Sequence, residues 1–269
     1  MGWARKITAA VAGAVAAVCP LGPVPAHGIV GGQEAQPHQY PYMAGLVDLE
    51  ERWVMCGGAL ITERYVLTAA HCVTGSYSST TRVGVLLGDH DLTSEADSPD
   101  AVLAAPARFS VHPGYDPGTQ VNDIALIRLA EPVAYRRAVS PVGLPVSFPP
   151  TAFDHTRVEA PGWGTTSFGG RTSDVLRTVV LDTMSNTTCV HRGMSRVTSA
   201  QICTYAPGRD TCQFDSGGPL VHREGGRPYL VALVSYGRGC ATDAPAVNTR
   251  VASYLSWIER TVGRLPHAS

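Results

Sequence analysis

A serine in an unusual setting is the first residue of this sequence that could do chemistry. Ser216 lies in RDTCQFDSGGPL (209–220), directly after Asp215 and before two glycines and a proline. A serine hydroxyl is a weak nucleophile until a neighbouring base removes its proton, and that base must itself be oriented by a third group. If Ser216 is a nucleophile, the chain must therefore supply a histidine and a carboxylate.

One candidate base and one candidate carboxylate lie beside apolar strands. Among the nine histidines, His71 is distinctive because LTAAHC (67–72) places it at the end of an apolar run, next to a cysteine whose disulfide would hold it rigidly. Asp123, in NDIALIRL (122–129), precedes an apolar run that suggests burial and suits an orienting role. For each residue alone, capping of a turn is the simpler alternative, so local context does not decide.

Short apolar runs separated by turn residues make up most of the chain after residue 28. RYVLTAA, RVGVLLG, DIALIRLA, VLRTVVLDT and YLVALVSYG are too short for most helices, and clusters of Gly, Pro, Asp and Ser separate them. This pattern predicts an antiparallel all-β protein, a sandwich or a barrel, with a boundary between two β halves near AVSPVGLP (138–145). Apolar residues at helical spacing from 254 to 265 predict one amphipathic C-terminal helix.

The first 28 residues have the composition of an export signal. A basic start precedes an apolar run (7–18) that is shorter than the roughly 20 residues a transmembrane helix needs. VPA, ending at Ala26, fits the cleavage preference for small residues better than AHG, ending at Gly28. We expect residues 1–28 to be a signal peptide plus a very short propeptide, and the protein to be secreted and extracellular.

Cysteine usage agrees with export. Of seven cysteines, Cys19 lies in the predicted leader, which leaves an even set that suits an oxidising compartment. Several pairings are open, and proximity along the chain favours Cys56–Cys72, Cys189–Cys203 and Cys212–Cys240. The cysteines show no zinc spacing, and a net charge of −1 gives no basic excess for nucleic acid.

Four motifs occur in order along the chain, and three further matches accompany them. They are IVGG (29–32), CGGALI (56–61), LTAAHC (67–72), NDIAL (122–126), GWG (162–164), DSGGPL (215–220) and SYGRGC (235–240). Together they resemble the chymotrypsin-like (trypsin-type) serine proteases over essentially all of residues 29–265, and they are most similar to secreted bacterial trypsins with three disulfides.

The resemblance implies a fold. A protease domain over 29–269 would contain two antiparallel β-barrels, at about 45–140 and 145–252, and a C-terminal α-helix at about 254–265. It also implies the three short-range disulfides that proximity favours.

The resemblance implies a role for each candidate residue. Ser216 would attack the scissile carbonyl, His71 would accept its proton and return it to the leaving amine, and Asp123 would fix the tautomer of His71. The backbone N–H groups of Phe214 and Ser216 would form the oxyanion hole. Ser235 resembles the serine that supports the aspartate.

Asp210 occupies the position that sets substrate preference in the family. It lies six residues before Ser216 and would form the floor of the primary pocket, which implies cleavage after Arg or Lys because a carboxylate in a narrow, mostly dry slot demands a cation. The other substrate-binding positions are Ser235, Tyr236, Gly237 and Ala246. Ala246 and Asn248 replace pocket-wall residues that are glycine and usually tyrosine in trypsins, so we expect discrimination shifted by ~1–3 kcal/mol.

Phe214 is the main departure from the family, which has glycine there. If glycine-like backbone angles are required, phenylalanine costs roughly 1–2 kcal/mol, and a misdirected N–H would lower the rate by about 10²–10³-fold. Because only the N–H is needed, we expect a working but selective protease whose Phe214 ring points toward the leaving-group side and screens bulky substrates and inhibitors. The alternative is a non-catalytic or strongly impaired pseudoprotease that acts as a binding protein.

The resemblance also explains Asp215. A new amino terminus at Ile29 would insert and pair with this aspartate, so a cut after Gly28 would activate a zymogen. Because Gly28 is neither Arg nor Lys, self-activation is not expected. Signal peptidase would cut directly after Gly28, or a second enzyme would remove His27 and Gly28.

The remaining expectations concern partners and ions. Partners would be protein or peptide substrates, with protein inhibitors in addition, and we expect a monomer that binds neither nucleic acid nor membrane. No cofactor or catalytic metal is expected. A structural calcium ion at Asp89, Asp91 and Glu95 is weighed against a solvated acidic loop, because the outer ligands align poorly. Asn186 begins a glycosylation sequon, NTT, which would be silent in a bacterial source.

Overall fold

The computed structural model describes residues 29–94 and 99–263. The predicted leader, including Cys19 and the alternative cleavage sites, lies outside the described residues, as does Glu95. Among the residues described, no helix is both long and apolar enough to cross a membrane.

Regular structure is mainly β, in two antiparallel sheets of seven strands each. The strands are β1 (Gln33–Glu34), β2 (Met43–Asp48), β3 (Trp53–Thr62), β4 (Tyr65–Thr68), β5 (Val83–Leu87), β6 (Val102–Ala104), β7 (Pro106–Val111), β8 (Ala125–Leu129), β9 (Arg157–Gly162), β10 (Arg177–Met184), β11 (Gln201–Tyr205), β12 (Pro219–Glu224), β13 (Arg227–Tyr236) and β14 (Ala246–Arg250). The helices are α1 (Asn186–His191) and α2 (Leu255–Val262), and 3₁₀ turns cover Ala70–Val73, Gly75–Tyr77 and Val251–Tyr254.

The first sheet is curled and has the strand order β6-β5-β2-β3-β4-β8-β7. Its central strand, β3, is buried over most of its length. Since successive side chains of a strand point to opposite faces, Leu60 enters the core inside the curl, while Ala59 and Ile61 enter the core shared with Leu230 and Leu233 of the second sheet. A continuous apolar run in β3 therefore follows from burial on both faces.

The second sheet is a closed barrel of β9, β10, β11, β14, β13 and β12, because β9 pairs with both β12 and β10. Its interior contains Val158, Leu181, Ile202, Leu220 and Val231, all almost fully buried. The short strand β1 adds to β10, so the segment after Ile29 lies on the second barrel although it precedes the first sheet in sequence.

The predicted fold class is confirmed, and each of the five quoted apolar runs contains a strand. All three favoured disulfides are present: Cys56–Cys72, Cys189–Cys203 and Cys212–Cys240. The C-terminal helix is shorter than predicted, since 251–254 form a 3₁₀ turn and α2 ends at Val262 before Gly263, whose φ is +87°.

Helix α1 was not predicted from the sequence. It has only six residues, begins after the N-cap Ser185, whose hydroxyl accepts the N–H of Thr188, and buries only Cys189. So short an element shows little helical periodicity, and the disulfide of Cys189 to β11 anchors it.

Candidate active site

A histidine and an aspartate meet where two paired strands begin and end. In the antiparallel pair of β4 and β8, Thr68 at the end of β4 lies opposite Ala125 at the start of β8. His71 follows β4 in the 3₁₀ turn, and Asp123 lies just before β8. His71 Nδ1 lies 2.8 Å from Asp123 Oδ2, and the His71 backbone N–H donates to Asp123 Oδ1 at 3.0 Å.

The Asp123 carboxylate is completely buried, and both of its oxygens have hydrogen-bond partners. Ser235 in β13 donates its hydroxyl to Asp123 Oδ2 at 2.6 Å, and Thr249 in β14 donates to the Asp123 carbonyl at 2.8 Å. A buried charge is tolerated when it is hydrogen-bonded in this way. Because both supporting hydroxyls come from the second barrel, the pair His71–Asp123 is held at the junction of the two sheets.

Ser216 lies against β3, the strand that contains Cys56. Its carbonyl accepts the N–H of Gly57 in β3 at 2.7 Å, and neighbouring Cys56 is bonded to Cys72, next to His71. Within the described part of the chain, no hydrogen bond joins the Ser216 hydroxyl to the His71 ring. Catalytic hydrogen bonds are often long before substrate binds, so this geometry is compatible with the predicted pair.

Two successive β-turns carry the residues around Ser216. In the first, the Asp215 N–H donates to the Cys212 carbonyl at 3.1 Å, and Phe214 at the third position has φ +74°. In the second, the Gly218 N–H donates to the Asp215 carbonyl, and Gly217 at the third position has φ +76°. A positive φ at that position characterises a type II turn and favours glycine, so Phe214 does adopt the glycine-like conformation, at a cost of roughly 1–2 kcal/mol.

The same turns leave two N–H groups open. The N–H of Gly217 donates to the Val234 carbonyl, and those of Asp215 and Gly218 close the two turns. Over the described residues, the N–H groups of Phe214 and Ser216 have no protein acceptor. Two unengaged donors on alternate residues, next to a candidate nucleophile, are what an oxyanion hole requires.

The Phe214 ring packs against the first sheet. It meets the Trp53 indole edge to face, with ring centroids 4.5 Å apart and planes at 89°. Trp53 is the first residue of β3, and no sequence pattern linked it to Phe214. Whether this side of Ser216 receives the leaving group stays a prediction.

A cavity of about 210 Å³ opens beside Ser216 and contains the other predicted pocket residues. Asp210, Ser235, Tyr236, Gly237 and Ala246 all line it. Phe168, which was not predicted, also lines it and is 69% exposed. The sequence signal for Phe168 is an aromatic residue in the glycine-rich turn SFGG, where a core role is not expected.

Asn248 does not line this cavity, contrary to the expectation that it forms a pocket wall. It is buried in β14, where it lies opposite Ile202 of the neighbouring strand β11. Its side-chain amide donates to the Ile202 carbonyl and to Thr204 Oγ1 of the same strand. These hydrogen bonds hold the side chain over β11 and away from the cavity.

The Asp210 carboxylate is almost completely buried in the cavity. Burial raises its pKa to about 6, although backbone N–H donors, including that of Ala241 at 3.1 Å, act in the opposite direction. The Asp210 backbone N–H also donates to the Val30 carbonyl, which ties the cavity to the segment after Ile29.

Asp215 is the second buried carboxylate of the site. It accepts the N–H groups of Gly164 and Cys212 at 2.9 and 2.8 Å, and burial nevertheless raises its pKa to about 7. A side chain at Gly162 or Gly164 would collide with its oxygens, and the Gly162 position also adjoins the buried side chain of Ile29. GWG is therefore needed for the close approach of this carboxylate.

Two minor predictions concern residues away from the cavity. Asp89 accepts the His90 N–H, and Asp91 accepts both the N–H and the hydroxyl of Thr93, so the calcium site stays a prediction. In the sequon, the Asn186 side-chain nitrogen donates to the Thr198 carbonyl at 2.6 Å.

Among the described residues, the candidate base is part of a group of three potential metal ligands. Cys56, His71 and Cys72 are close together, but the two cysteines form a disulfide and cannot bind metal as thiolates.

Comparisons with known proteins agree with this geometry. The family model described as Trypsin matches residues 29–258. The chain is 37% identical over 237 residues to Trypsin V-B of Rattus norvegicus, covering 87% of this chain and 89% of the relative. It is 35% identical over 241 residues to Venom serine protease of Polistes dominula, covering 87% and 86%.

A third relative is longer than the matched region. The chain is 34% identical over 236 residues to Venom serine protease 34 of Apis mellifera, which is 86% of this chain but only 57% of that protein.

Proposed function

The chain belongs to the trypsin family of serine endopeptidases, and we propose that it cleaves peptide bonds after arginine or lysine through an acyl-enzyme on Ser216. The observation that carries the proposal is the cavity beside Ser216, whose lining includes the buried Asp210 carboxylate. A cationic side chain that fills the cavity would gain a charge-assisted hydrogen bond in a site with little water.

His71 would serve as the base in acylation. Asp123 binds its Nδ1, which leaves Nε2 to take the proton of the Ser216 hydroxyl as that oxygen attacks the scissile carbonyl. The buried carboxylate stabilises the resulting imidazolium and keeps the ring in position. Collapse of the tetrahedral intermediate would pass this proton to the leaving amine, and a water activated in the same way would then hydrolyse the acyl-enzyme.

The open N–H groups of Phe214 and Ser216 would stabilise the negative oxygen of that intermediate. Donors that are already oriented before reaction stabilise such an oxygen strongly, since removal of a single one in another hydrolase costs about 2.7–4 kcal/mol. The positive φ of Phe214 supports this role, because the chain accepts local strain rather than turn its N–H away. The same observation argues against the alternative, a non-catalytic binding protein.

Substrate preference would depend on both the charge and the length of the cavity. The Ala246 methyl group faces the cavity wall near Gly237, and it shortens a slot that trypsins leave open with glycine. We expect the cation preference to remain, with an altered ratio of Arg over Lys cleavage.

Processing before Ile29 would activate the enzyme. The Ile29 side chain is completely buried, and its Cδ1 atom and the Asp215 carboxylate both border Gly162. In the proposed activation, a cut after Gly28 releases the Ile29 amino group to pair with the Asp215 carboxylate. Such a pair would satisfy a charge that is otherwise expensive to bury. The proposal also includes export of the protein, which the disulfides and the predicted leader support. The enzyme would act outside the cell as a monomer on protein or peptide substrates, and protein inhibitors would bind it.

Labelling with a fluorophosphonate tests catalysis directly. The processed full chain should acquire one covalent adduct, located on Ser216 by peptide mapping. Because His71 supplies general-base assistance, His71→Ala should slow labelling by about 10²–10⁴-fold, and Ser216→Ala should abolish it. A folded, processed chain that takes up no label would support the binding-protein alternative.

Asp210→Ser should remove the preference for basic residues in a peptide-library digest. Loss of one partner of a buried charge pair costs about 2–5 kcal/mol, so kcat/KM for an arginine substrate should fall by between about 30-fold and several thousand-fold. The matched control is Asp243→Ser, which removes the same charge from an exposed loop position outside the cavity. Unchanged cleavage after basic residues would refute the role of Asp210.

The raised pKa of Asp210 predicts a pH-dependent specificity. Below about 6 the carboxyl is neutral, so preference for a cation should weaken as pH falls through that value. The ratio of kcat/KM for an arginine ester to that for a neutral ester cancels titrations that both reactions share, and it should drop about tenfold by about pH 5. The ratio should be flat in Asp210→Ser; a flat ratio in the unaltered enzyme would contradict the prediction.

A further inference from the structure

The turn that presents the Phe214 N–H has two alternative forms. Types I and II differ by rotation of the central peptide, here the one joining Gln213 to Phe214, and only type II needs a positive φ at the third residue. A glycine at that position accepts either form, whereas phenylalanine disfavours type II. Rotation to type I would turn the Phe214 N–H to the opposite side, away from the position that it shares with the Ser216 N–H.

Two hydrogen bonds from the 165–170 loop hold the Gln213 end of this peptide. The Thr165 N–H donates to the Gln213 carbonyl at 2.9 Å, and the Gly169 N–H donates to the Gln213 side-chain oxygen at 2.6 Å. Rotation of the peptide would break the first bond. The Phe214 end is held differently, because its N–H has no acceptor within the described residues and its side chain contacts the first sheet.

That contact is the edge-to-face packing of Phe214 on Trp53. Trp53 is itself fixed: it is half-buried, packs on the core of the first sheet and pairs with Asp48 of β2. Its strand, β3, also supports Ser216 through the Gly57 N–H. One rigid strand therefore contacts both residues whose N–H groups face the oxyanion position.

We propose that Trp53 is a positioning residue that holds Phe214 in the left-handed conformation and so keeps the Phe214 N–H in the oxyanion hole. The proposal rests on the proposed function, since it concerns the rate of acylation at Ser216. An aromatic pair of this geometry shifts an equilibrium by roughly 2- to 10-fold. This shift is the largest loss of rate to expect, and it is reached when the type I turn predominates without the contact.

A double-mutant cycle on the processed full chain tests the proposal. Acylation rates are measured by single turnover with an arginine ester for the unaltered enzyme, Trp53→Ala, Phe214→Gly and the double variant. Trp53→Ala should slow acylation when Phe214 is present, by up to roughly 10-fold. With glycine replacing Phe214 the turn needs no support, so the same substitution should change the rate less than about 2-fold.

Two controls separate positioning from general stability. Tyr77→Ala removes an aromatic side chain from the same core cluster without a contact to Phe214, and it should leave acylation unchanged even if the midpoint of thermal unfolding falls. Inhibition by benzamidinium, which reports only on the Asp210 cavity, should be the same in all four chains. Trp53→Phe, which keeps an aromatic edge, should recover part of the lost rate.

Equal losses from Trp53→Ala in the unaltered chain and in the Phe214→Gly chain, or no loss in either, would overturn the proposal. Absence of acylation in the unaltered enzyme would instead contradict the proposed function, and crystal structures of the same chains then decide the positioning role. Trp53→Ala should show the Gln213 carbonyl released from Thr165 in at least part of the molecules. A positive φ at Phe214 in every molecule, with that hydrogen bond intact, would overturn the role of Trp53.

Discussion

The loop that carries Phe214 and Ser216 depends on one buried carboxylate, that of Asp215. The Asp215 side chain accepts the N–H groups of Gly164 and Cys212. Its backbone N–H is the donor of the turn that contains Phe214, and its carbonyl is the acceptor of the turn that contains Ser216. The carboxylate approaches the backbone at Gly162 and Gly164 so closely that a side chain at either position would collide with it. Its pKa of about 7 shows that two backbone donors do not compensate the loss of water. The conformation of the whole loop therefore depends on whether the charge of the Asp215 carboxylate is compensated.

The site belongs to the junction of the two β units and to neither alone. The first sheet supplies His71 and Asp123 from adjoining ends of β4 and β8, while the second barrel supplies the hydroxyls of Ser235 and Thr249 that support Asp123. Strand β3 links the two, since its alternate side chains fill both cores and its backbone holds the Ser216 carbonyl. Such placement fixes the candidate catalytic groups on rigid elements, which favours the preorganisation that the proposed catalysis needs.

The features that rest on local pattern were predictable from the sequence. The strands of the five apolar runs and the three disulfides were expected from it, and the family resemblance placed Asp210 in the cavity. The backbone at Phe214 was left open, and the structure gives it the glycine-like conformation. Features that depend on contacts distant in sequence were not found. No spacing rule connects Trp53 to Phe214, and the direction of Asn248 is set by hydrogen bonds to a strand more than 40 residues earlier in the chain. The short helix α1 escaped because six residues carry too little periodicity.

In the proposed activation, an ammonium group at Ile29 neutralises Asp215 and thereby organises the loop for catalysis. The most direct measurement compares the rate of fluorophosphonate labelling in the chain that begins at Ile29 with the rate in the same chain acetylated at that amino group. An unpaired buried charge costs about 3–5 kcal/mol, so acetylation should slow labelling by roughly 10²- to several thousand-fold. Equal labelling of the two chains would contradict the role of the Ile29 ammonium group.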